Sequence, residues 1–184
     1  MGKFKTFIET YKKNDPSARS TLEIVLTYPG FWAIIYYRIA HFLHVNNLKL
    51  IARMVSTFAR WVTGVEIHPG AVIGKCFFID HGMGIVIGET AVIGDNVRIF
   101  HGVTLGGRGD EKGKRHPTIG DGVLLSAHVQ VIGNIKVGKN AKIGASAVVL
   151  KDIPEGVTAV GIPAKVVRSK IENLKDSHDD EMIN

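Results

Sequence analysis

Aliphatic residues recur every six positions over a long central stretch of the chain, from Ile67 to about Val149. The repeated positions are Ile67, Ile73, Ile79, Ile85, Ile87, Ile93, Ile99, Leu105, Ile119, Leu125, Val131, Val137, Ile143 and Val149. Four places after most of them stands a second small or apolar residue, such as Ala71 or Val97. Neither an α-helix nor an alternating β-strand has this period. The repeat predicts a parallel β-helix, in which three short strands form each triangular coil.

The core of such a solenoid is a column. Each hexad supplies one flat face, and its aliphatic side chain points inward onto the equivalent residue of the next coil. Glycines often follow the aliphatic position, at Gly74, Gly88, Gly94, Gly120, Gly138 and Gly144. We expect these glycines to form tight corners with positive φ, which costs little without a Cβ.

Two interruptions break the repeat. Two extra residues fall between the hexads of Ile79 and Ile87, and fourteen residues run from Leu105 to Thr118 where six would suffice. A solenoid accommodates insertions as loops at its corners, and such loops commonly form the binding face. Histidines lie close to both interruptions.

The first 63 residues lack the repeat and are predicted to be helical. We expect three helices, one from Asp15-Pro16 to near Tyr28-Pro29, one from Phe31 to His44 and one from Leu48 to Val62. The second would place Ile35, Ile39 and Phe42 on one face. Such apolar helices are predicted to cap the open end of the β-helix and to contribute to contacts between subunits.

The fold class predicted is therefore α+β. It combines an N-terminal helical region over residues 1–63 with a left-handed parallel β-helix over 64–168, from which one loop protrudes. A short polar C-terminal tail occupies residues 169–184.

Composition narrows the class of partner. The net charge of +6 favours an anionic ligand, but the basic residues are scattered and no nucleic-acid motif is present. A small acid or a phosphate-bearing cofactor fits the same charge. A single cysteine, Cys76, excludes an internal disulfide framework and is typical of a reducing, cytoplasmic location.

No targeting or membrane segment is expected. The first 13 residues are charged and have no continuous apolar core, unlike a signal peptide. The most apolar window, from Leu22 to Val45, contains Pro29 and charged residues, which a bilayer span would not normally carry.

Five polar residues near the interruptions could carry chemistry, namely Glu66, Asp80, His81, Arg115 and His116. Glu66 precedes His81 by fifteen residues, three short of one eighteen-residue coil, so their side chains could meet around a corner. A carboxylate beside an imidazole stabilises the imidazolium and makes a histidine a general base near neutral pH. Alternatively, Glu66 could simply form a surface ion pair and have no catalytic role.

Alternatively, the histidines could form a stacked ladder with no catalytic role. His101 falls one coil above His81 at the same place in the hexad, so the two could simply stack on the solenoid surface. The loop from Gly106 to Pro117 is rich in glycine and carries four Lys or Arg against two acids. This composition suits a lid over a carboxylate or phosphate, and it is also that of an ordinary solvated loop.

Four segments together resemble the motifs of bacterial serine O-acetyltransferases. They are Gly64–Gly70, Ile79–Thr90, Val103–Gly107 and Lys114–Pro117. The resemblance covers Asp15 to about Val167, nearly the whole chain. It implies transfer of an acetyl group from acetyl-CoA to the hydroxyl of L-serine, which gives O-acetyl-L-serine and CoA in cysteine biosynthesis.

The resemblance also implies roles for individual residues. His81 matches the general base of the family, and Glu66 stands where its partner carboxylate does, although that partner is aspartate in many members. The positions that hold the ammonium and carboxylate groups of serine are matched by Asp15, Asp80, Arg115 and His116. The implied mechanism is a direct transfer without a covalent enzyme intermediate.

The acetyl-CoA site implied by the resemblance is lined by small residues. Gly107, Ala127 and Ala145 match positions where a bulkier side chain would block the pantetheine arm. Lys165 is a candidate for contact with the CoA phosphates. No metal is expected.

The resemblance implies a homotrimer, with a dimer of trimers as the alternative. Many family members have a longer helical N-terminus that pairs trimers, whereas about sixty residues precede the coils here. Many members also end in isoleucine, which enters the active site of O-acetylserine sulfhydrylase. This chain ends in Met182-Ile183-Asn184, which argues against that partner.

Three other functions are compatible with the sequence. A related acetyltransferase could act on homoserine, a sugar or an antibiotic. A zinc lyase of the γ-carbonic-anhydrase type would take its ligands from His81, His101, His116 and His128, but no pair has the close spacing of that family's ligands. A non-catalytic scaffold would not need the complete polar set.

Overall fold

The structure, a computed structural model, describes residues 3–109 and 112–168. Within these residues four α-helices precede fifteen short β-strands. The helices are α1 (Lys3–Asn14), α2 (Thr21–Thr27), α3 (Pro29–Val45) and α4 (Lys49–Thr63). The predicted polar tail, 169–184, lies outside the described residues.

The strands are β1 (Val65–Ile67), β2 (Val72–Ile73), β3 (Phe78–Ile79), β4 (Ile85–Ile87), β5 (Val92–Ile93), β6 (Arg98–Ile99), β7 (Thr104–Gly106), β8 (Thr118–Ile119), β9 (Leu124–Leu125), β10 (Gln130–Ile132), β11 (Lys136–Val137), β12 (Lys142–Ile143), β13 (Val148–Val149), β14 (Thr158–Val160) and β15 (Lys165–Arg168). They form three sheets, in the orders β1-β4-β7-β10-β13, β2-β5-β8-β11 and β3-β6-β9-β12-β14-β15. The pairings are parallel except that of β14 with β15. The chain visits the three sheets in turn, so the predicted β-helix is confirmed.

The strand register locates both interruptions. An uninterrupted coil pairs Thr118 with Lys136, eighteen residues later. Val72 instead pairs with Val92, an offset of 20. Val92 pairs with Thr118, an offset of 26. The extra residues therefore sit at corners, outside the strands, and the coils on either side stay in register.

The inward column is closely packed. The aliphatic residues of the repeat are buried, with Ile99, Leu105 and Leu125 all at 0% exposure. Burial of each such side chain contributes about 1.5–3 kcal/mol relative to exposure. Because every coil shares this column with its neighbours, the corners are held in fixed positions for the polar residues they carry.

The prediction that the six glycines after the aliphatic positions have positive φ is wrong. The left-handed conformation occurs two residues later in the corner, at Cys76, Asn96, Asn140 and Ser146 among others. The glycines are instead required by close stacking of successive coils. A Cβ on Gly74 would lie 2.7 Å from the carbonyl carbon of Gly94, and one on Gly138 would lie 2.5 Å from the backbone nitrogen of Glu155.

Helix α3 covers the first coil, as predicted. Tyr37 donates its hydroxyl hydrogen to the carbonyl of Ala71 at 2.6 Å, and Arg38 donates to the carbonyls of Ile73 and Gly74. The backbone of Gly30 lies so close to Ile79 that a Cβ there would be 2.5 Å from its carbonyl oxygen. No helix in the described ranges is both long and apolar enough to span a bilayer.

The face of α3 that packs inward differs from the prediction. Its buried residues include Ala33, Ile34 and Tyr37, whereas Ile39 and Phe42 are 48% and 65% exposed. Gly30 and Ala33 on the buried face allow the helix to approach the coil closely. Apolar residues occupy both faces of α3, so periodicity alone does not identify the inner one.

The start of α2 is also a correction. It begins at Thr21, because the hydroxyl of Ser20 accepts a hydrogen bond from the backbone of Glu23 at 3.1 Å and caps the helix. Asp15-Pro16 does not open a helix. It forms a turn in which Asp15 accepts hydrogen bonds from Ser17, and this turn leaves Asp15 beside the β-helix.

Candidate functional site

His81 lies on the corner between β3 and β4, where two residues are inserted. Its backbone is left-handed, with φ 60°, and its side chain is 73% exposed. Its Nε2 atom lies 3.7 Å from a carboxylate oxygen of Asp80. The insertion therefore lifts an imidazole clear of the coil beside an acid, where it can accept a proton from a ligand.

Asp15 reaches the same corner from the turn between α1 and α2. Its carboxylate accepts hydrogen bonds from the hydroxyls of Tyr28 and Ser17, both at 2.6 Å, and from the backbone of Ser17 at 2.8 Å. The hydrogen bonds from Ser17 and then Tyr28 lower the pKa of Asp15, and the charge on His81 lowers it further. The carboxylate is ionised at neutral pH and is close enough to His81 to interact with it electrostatically.

Glu66 lies on β1, which packs against the His81 corner. The backbone N–H of Gly84, in this corner, donates to the carbonyl of Gly64, which directly precedes β1, at 2.9 Å. The Glu66 carboxylate is paired with Arg60 of α4 at 3.0 Å, and no hydrogen bond or ion pair links it to His81 among the described residues. The pairing of Glu66 with His81 stays a prediction.

The histidine stack is confirmed and is longer than predicted. The rings of His81 and His101 are 5.8 Å apart, and those of His101 and His128 are 4.9 Å apart. Nδ1 of His101 is buried without a hydrogen-bond partner in the described part of the chain. The three rings line an open groove of about 710 Å³, whose other lining residues are Met83, Gly84, Gly102, Thr104 and Gln130.

His128 was not part of the predicted stack because it lies one place away in the hexad. Its ring stands over Gly102, where a Cβ would be 3.0 Å from the ring carbon Cγ. From there the ring reaches His101. Only the combination of a glycine at 102 with a histidine one coil later would have indicated this contact.

Arg115 and His116 lie at a different corner, in the loop between β7 and β8. Arg115 forms an ion pair with Glu89 at 2.7 Å. Nδ1 of His116 lies 2.9 Å from the hydroxyl of Thr90. Lys114 donates to the carbonyl of Thr90 at 2.9 Å and to that of His116. This end of the long loop is therefore anchored to the turn that precedes β5.

The ring of His116 is almost enclosed, with 7% of the residue exposed. It lies against Gly88, where a Cβ would be 2.8 Å from the ring carbon Cγ. Burial lowers the pKa of His116, and the positive charges of Arg115 and Lys114 lower it further. The imidazole is therefore neutral at pH 7, next to a cationic guanidinium.

The predicted site residues thus form two clusters in one chain. Asp15, Asp80 and His81 meet at the corner that precedes β4, whereas Arg115 and His116 meet on the loop that follows β7. Since β4 and β7 are parallel neighbours, the two corners lie at opposite ends of these strands. The structure does not bring the two clusters together within one copy.

The predicted cofactor residues divide in the same way. Ala127 and Ala145 lie on successive coils above the histidine stack, where Ser146 donates to the carbonyl of Ala127 at 2.9 Å. Gly107 lies beside the second cluster, since a Cβ there would be 3.3 Å from Nε2 of His116. Lys165 is exposed at the start of β15. Both corners therefore present small residues next to polar ones.

Tyr28, Glu89 and Thr90 were not predicted as site residues. Glu89 and Thr90 fall inside a motif segment, but their contacts run to residues 25 and 26 positions later, which the local sequence does not reveal. Across 3–109 and 112–168, no three His, Cys, Asp or Glu side chains converge as metal ligands would.

Comparisons with known proteins agree on one family. A family model described as bacterial transferase hexapeptide (six repeats) matches residues 116–151. A serine acetyltransferase of Bacillus pumilus is 59% identical over 163 residues, which are 89% of this chain and 75% of that relative.

Two solved structures of similar proteins are complexes with a small molecule. Soybean serine acetyltransferase complexed with serine superposes with a TM-score of 0.85 at 46% identity, over 88% of this chain and 67% of that one. Serine acetyltransferase of Brucella abortus in complex with coenzyme A gives a TM-score of 0.87 at 42% identity, over 90% and 66%. This chain thus spans about two thirds of their length.

Proposed function

The chain belongs to the serine acetyltransferase family, whose co-substrate is acetyl-CoA, and we propose that it acetylates the hydroxyl of L-serine with His81 as the general base. The observation that carries this proposal is the meeting of Asp15, Asp80 and His81 at one inserted corner. This corner offers carboxylates for an ammonium group and an imidazole for a hydroxyl proton.

The reaction follows from the position of the imidazole. His81 removes the hydroxyl proton of serine as the oxygen attacks the thioester carbonyl of acetyl-CoA. The tetrahedral oxyanion that forms is stabilised by nearby N–H donors and then collapses. The carbon–sulfur bond breaks, and the imidazolium returns the proton to the CoA thiolate. The products are O-acetyl-L-serine and CoA, and the enzyme is regenerated without a covalent intermediate.

Serine is held by charge at both of its ends. Asp15 and Asp80 bind the ammonium group, and the hydrogen bonds that keep Asp15 ionised support this role. Arg115 binds the carboxylate, since a guanidinium can donate to both oxygens at once. Glu89 already orients that guanidinium by an ion pair at 2.7 Å. His116 adds a neutral donor beside it.

The two clusters belong to one site only if a second copy completes it. In the proposed homotrimer, the loop that carries Arg115 and His116 reaches the His81 corner of the next copy. The high exposure of the His81 side chain, 73%, supports a role for a neighbour in closing the site. The groove for acetyl-CoA then lies between copies, with Ala127 and Ala145 on one wall and Gly107 on the other.

Glu66 is proposed as the acid that stabilises the His81 imidazolium. Its strand packs against the His81 corner, and its present partner, Arg60, is an exposed surface residue with 51% side-chain exposure. An exposed ion pair of this kind contributes only about 0–1 kcal/mol. A change of side-chain rotamer therefore costs little and brings the carboxylate toward the imidazole.

The proposal is tested by measuring CoA release from acetyl-CoA with serine, homoserine and a sugar as acceptors. His81→Asn is the sharpest variant, because asparagine tolerates the left-handed backbone at this position. We expect serine to be the preferred acceptor and kcat to fall by about 10²–10⁴-fold in His81→Asn.

Cys76→Asn is the control for that variant. It places asparagine at another left-handed corner, with φ 53°, outside both clusters, and should retain most of the activity. Equal kcat in the native protein and His81→Asn would exclude His81 as the base. Preference for another acceptor would reassign the substrate and leave the fold unchanged.

A further inference from the structure

Thr90 lies at the centre of the hydrogen bonds that hold the His116 corner. Its hydroxyl oxygen accepts hydrogen bonds from the backbone N–H groups of Arg115 at 3.0 Å and His116 at 3.1 Å. The same oxygen lies 2.9 Å from Nδ1 of His116. The backbone N–H of Thr90 also donates to Nδ1, at 3.2 Å. One residue thus fixes both the backbone and the ring of its neighbours.

These contacts assign the proton on the ring of His116. A backbone N–H can only donate, so Nδ1 accepts from Thr90 and carries no proton. Two backbone N–H groups occupy the lone pairs of the Thr90 hydroxyl, which leaves its own hydrogen to point at Nδ1. A neutral ring with an unprotonated Nδ1 carries its proton on Nε2.

Nε2 of His116 is the atom that remains for a ligand. It has no hydrogen bond within 3–109 and 112–168, and it is not among the fully buried polar atoms. Burial is the main cause that lowers the pKa of His116, and of the charged groups around the ring Arg115 and Lys114 lower the pKa further while Glu89 raises it. The ring therefore offers a single N–H donor in a fixed direction.

We propose that Thr90 is a positioning residue, whose backbone N–H and hydroxyl together hold His116 in the Nε2–H tautomer and whose hydroxyl fixes the backbone of Arg115, so that both side chains donate to one carboxylate. This inference rests on the proposed function, in which that carboxylate belongs to serine. Thr90 itself touches no reacting atom. Its effect is to orient two donors before the substrate arrives, which reduces the ordering required on binding.

The kinetic test compares Thr90→Val with Thr90→Ser. Valine keeps the shape of threonine and removes the hydroxyl, whereas serine restores the hydroxyl. In Thr90→Val we expect KM for serine to rise by at least about tenfold, the loss typical of a hydrogen bond to a charged group. The value of kcat should fall less, and KM for acetyl-CoA should stay within about twofold. Thr90→Ser should recover most of the serine KM.

A matched control separates this effect from a general loss of stability. Thr158→Val makes the same change on the surface of β14, far along the chain from both clusters. The melting temperature of each variant is recorded alongside the kinetics. A Thr90→Val protein that melts earlier but binds serine with the native KM would overturn the proposal and leave Thr90 a purely structural residue.

A second readout does not depend on activity. The ¹⁵N resonances of histidine distinguish the two neutral tautomers, and the His116 signals are assigned by their loss in His116→Asn. We expect the native protein, without substrates, to show the Nε2–H form at His116. In Thr90→Val the backbone N–H of residue 90 still donates to Nδ1, so the Nε2–H form should persist, but the Nδ1 resonance should shift because the hydroxyl donor is lost. A native Nδ1–H form, or identical spectra for the two proteins, would contradict the proposal.

The two experiments also keep this inference apart from the function on which it rests. Failure of the native protein to acetylate serine would end the proposed function, while the tautomer of His116 could still be measured. Native acetylation of serine with an unchanged KM in Thr90→Val would end the inference about Thr90 alone.

Discussion

Asp15 is a half-buried carboxylate that is held in one orientation. The hydroxyls of Tyr28 and Ser17 donate to its two oxygens, one to each. The resulting pKa lies below the ordinary value of 3.8. A group whose folded pKa is lowered contributes stability above its unfolded pKa, and this contribution disappears as the pH falls through the folded value. At neutral pH the carboxylate is therefore both charged and oriented.

Replacement of Tyr28 by phenylalanine should loosen Asp15 without removing its charge. We expect KM for serine to rise at least about tenfold, since a hydrogen bond to a charged group contributes about 1.5–3 kcal/mol. Steady-state kinetics at saturating acetyl-CoA measures this. Tyr36→Phe is the matched control, because the Tyr36 ring packs against Phe58 of α4 and not on Asp15. Equal serine KM values for the native protein and Tyr28→Phe would show that the hydroxyl has no part in binding.

At the scale of elements, the helices and the first coil meet around a half-buried histidine. His68 follows β1, and its ring lies 6.0 Å from that of His44 in α3. Burial lowers the pKa of His68 from 6.5 to about 4, and the charge of Arg53 in α4 adds to the shift. Protonation of His68 is therefore resisted only while the helices stay docked on the coil.

The docking of α3 and α4 should consequently weaken in acid. The unfolded chain takes up the proton near pH 6.5 and the folded chain only near pH 4, so stability is lost as the pH falls across this interval. Urea unfolding from pH 8 to pH 4 should show a smaller decline for His68→Asn than for the native protein. Asparagine can still accept the hydrogen bond that Nδ1 receives from Gly70. Parallel declines for the two proteins would exclude His68 as the cause.

The elements differ in how far the sequence predicts them. The strands were predictable because one inward residue per hexad recurs whatever the corners do, as at Ile93 and Ile119. The role of the glycines was not predictable, because a side chain at Gly74 is excluded by the backbone of Gly94 in the next coil. The start of α2 was misplaced because two capping signals compete, and Ser20 with Glu23 forms the cap while Asp15 closes a turn.

The sequence predicts part of the arrangement of the candidate site residues, but not all of it. Hexad counting places His101 above His81, and the two rings do lie next to each other, packed edge to face. The partners of Arg115 and His116 are Glu89 and Thr90, one coil earlier but 26 residues away because of the long loop, and these contacts depend on how that loop folds back. Sequence spacing does not determine the path of a loop that lies outside the repeat.

For the whole molecule, the division of the site into two corners gives a direct test of assembly. His81→Asn and Arg115→Ala should each be nearly inactive at low serine. In trimers formed from equal amounts of both, about a quarter of the sites combine a native His81 with a native Arg115 from the next copy. Mixing by joint refolding should therefore restore about a quarter of the native activity.

The control for this experiment mixes His81→Asn with a variant that carries both substitutions. No interface in that mixture joins a native His81 to a native Arg115, so activity should stay at background. No recovery in the first mixture would place the whole site within one copy, whereas recovery in the control would show that activity does not require a native His81.

The coil repeat also sets a length scale for the cofactor. The corners that bear His81, His101, Ala127 and Ala145 follow one another along the solenoid axis, and each step advances about 4.8 Å, the spacing of neighbouring strands. The distance along the axis from the corner of His81 to that of Ala145 is therefore about 14 Å, and it sets the length of ligand that the groove can hold in register. Deleting one uninterrupted eighteen-residue coil would shorten this distance by about 4.8 Å. It would displace the distant end of a long ligand, while the reacting end kept its geometry.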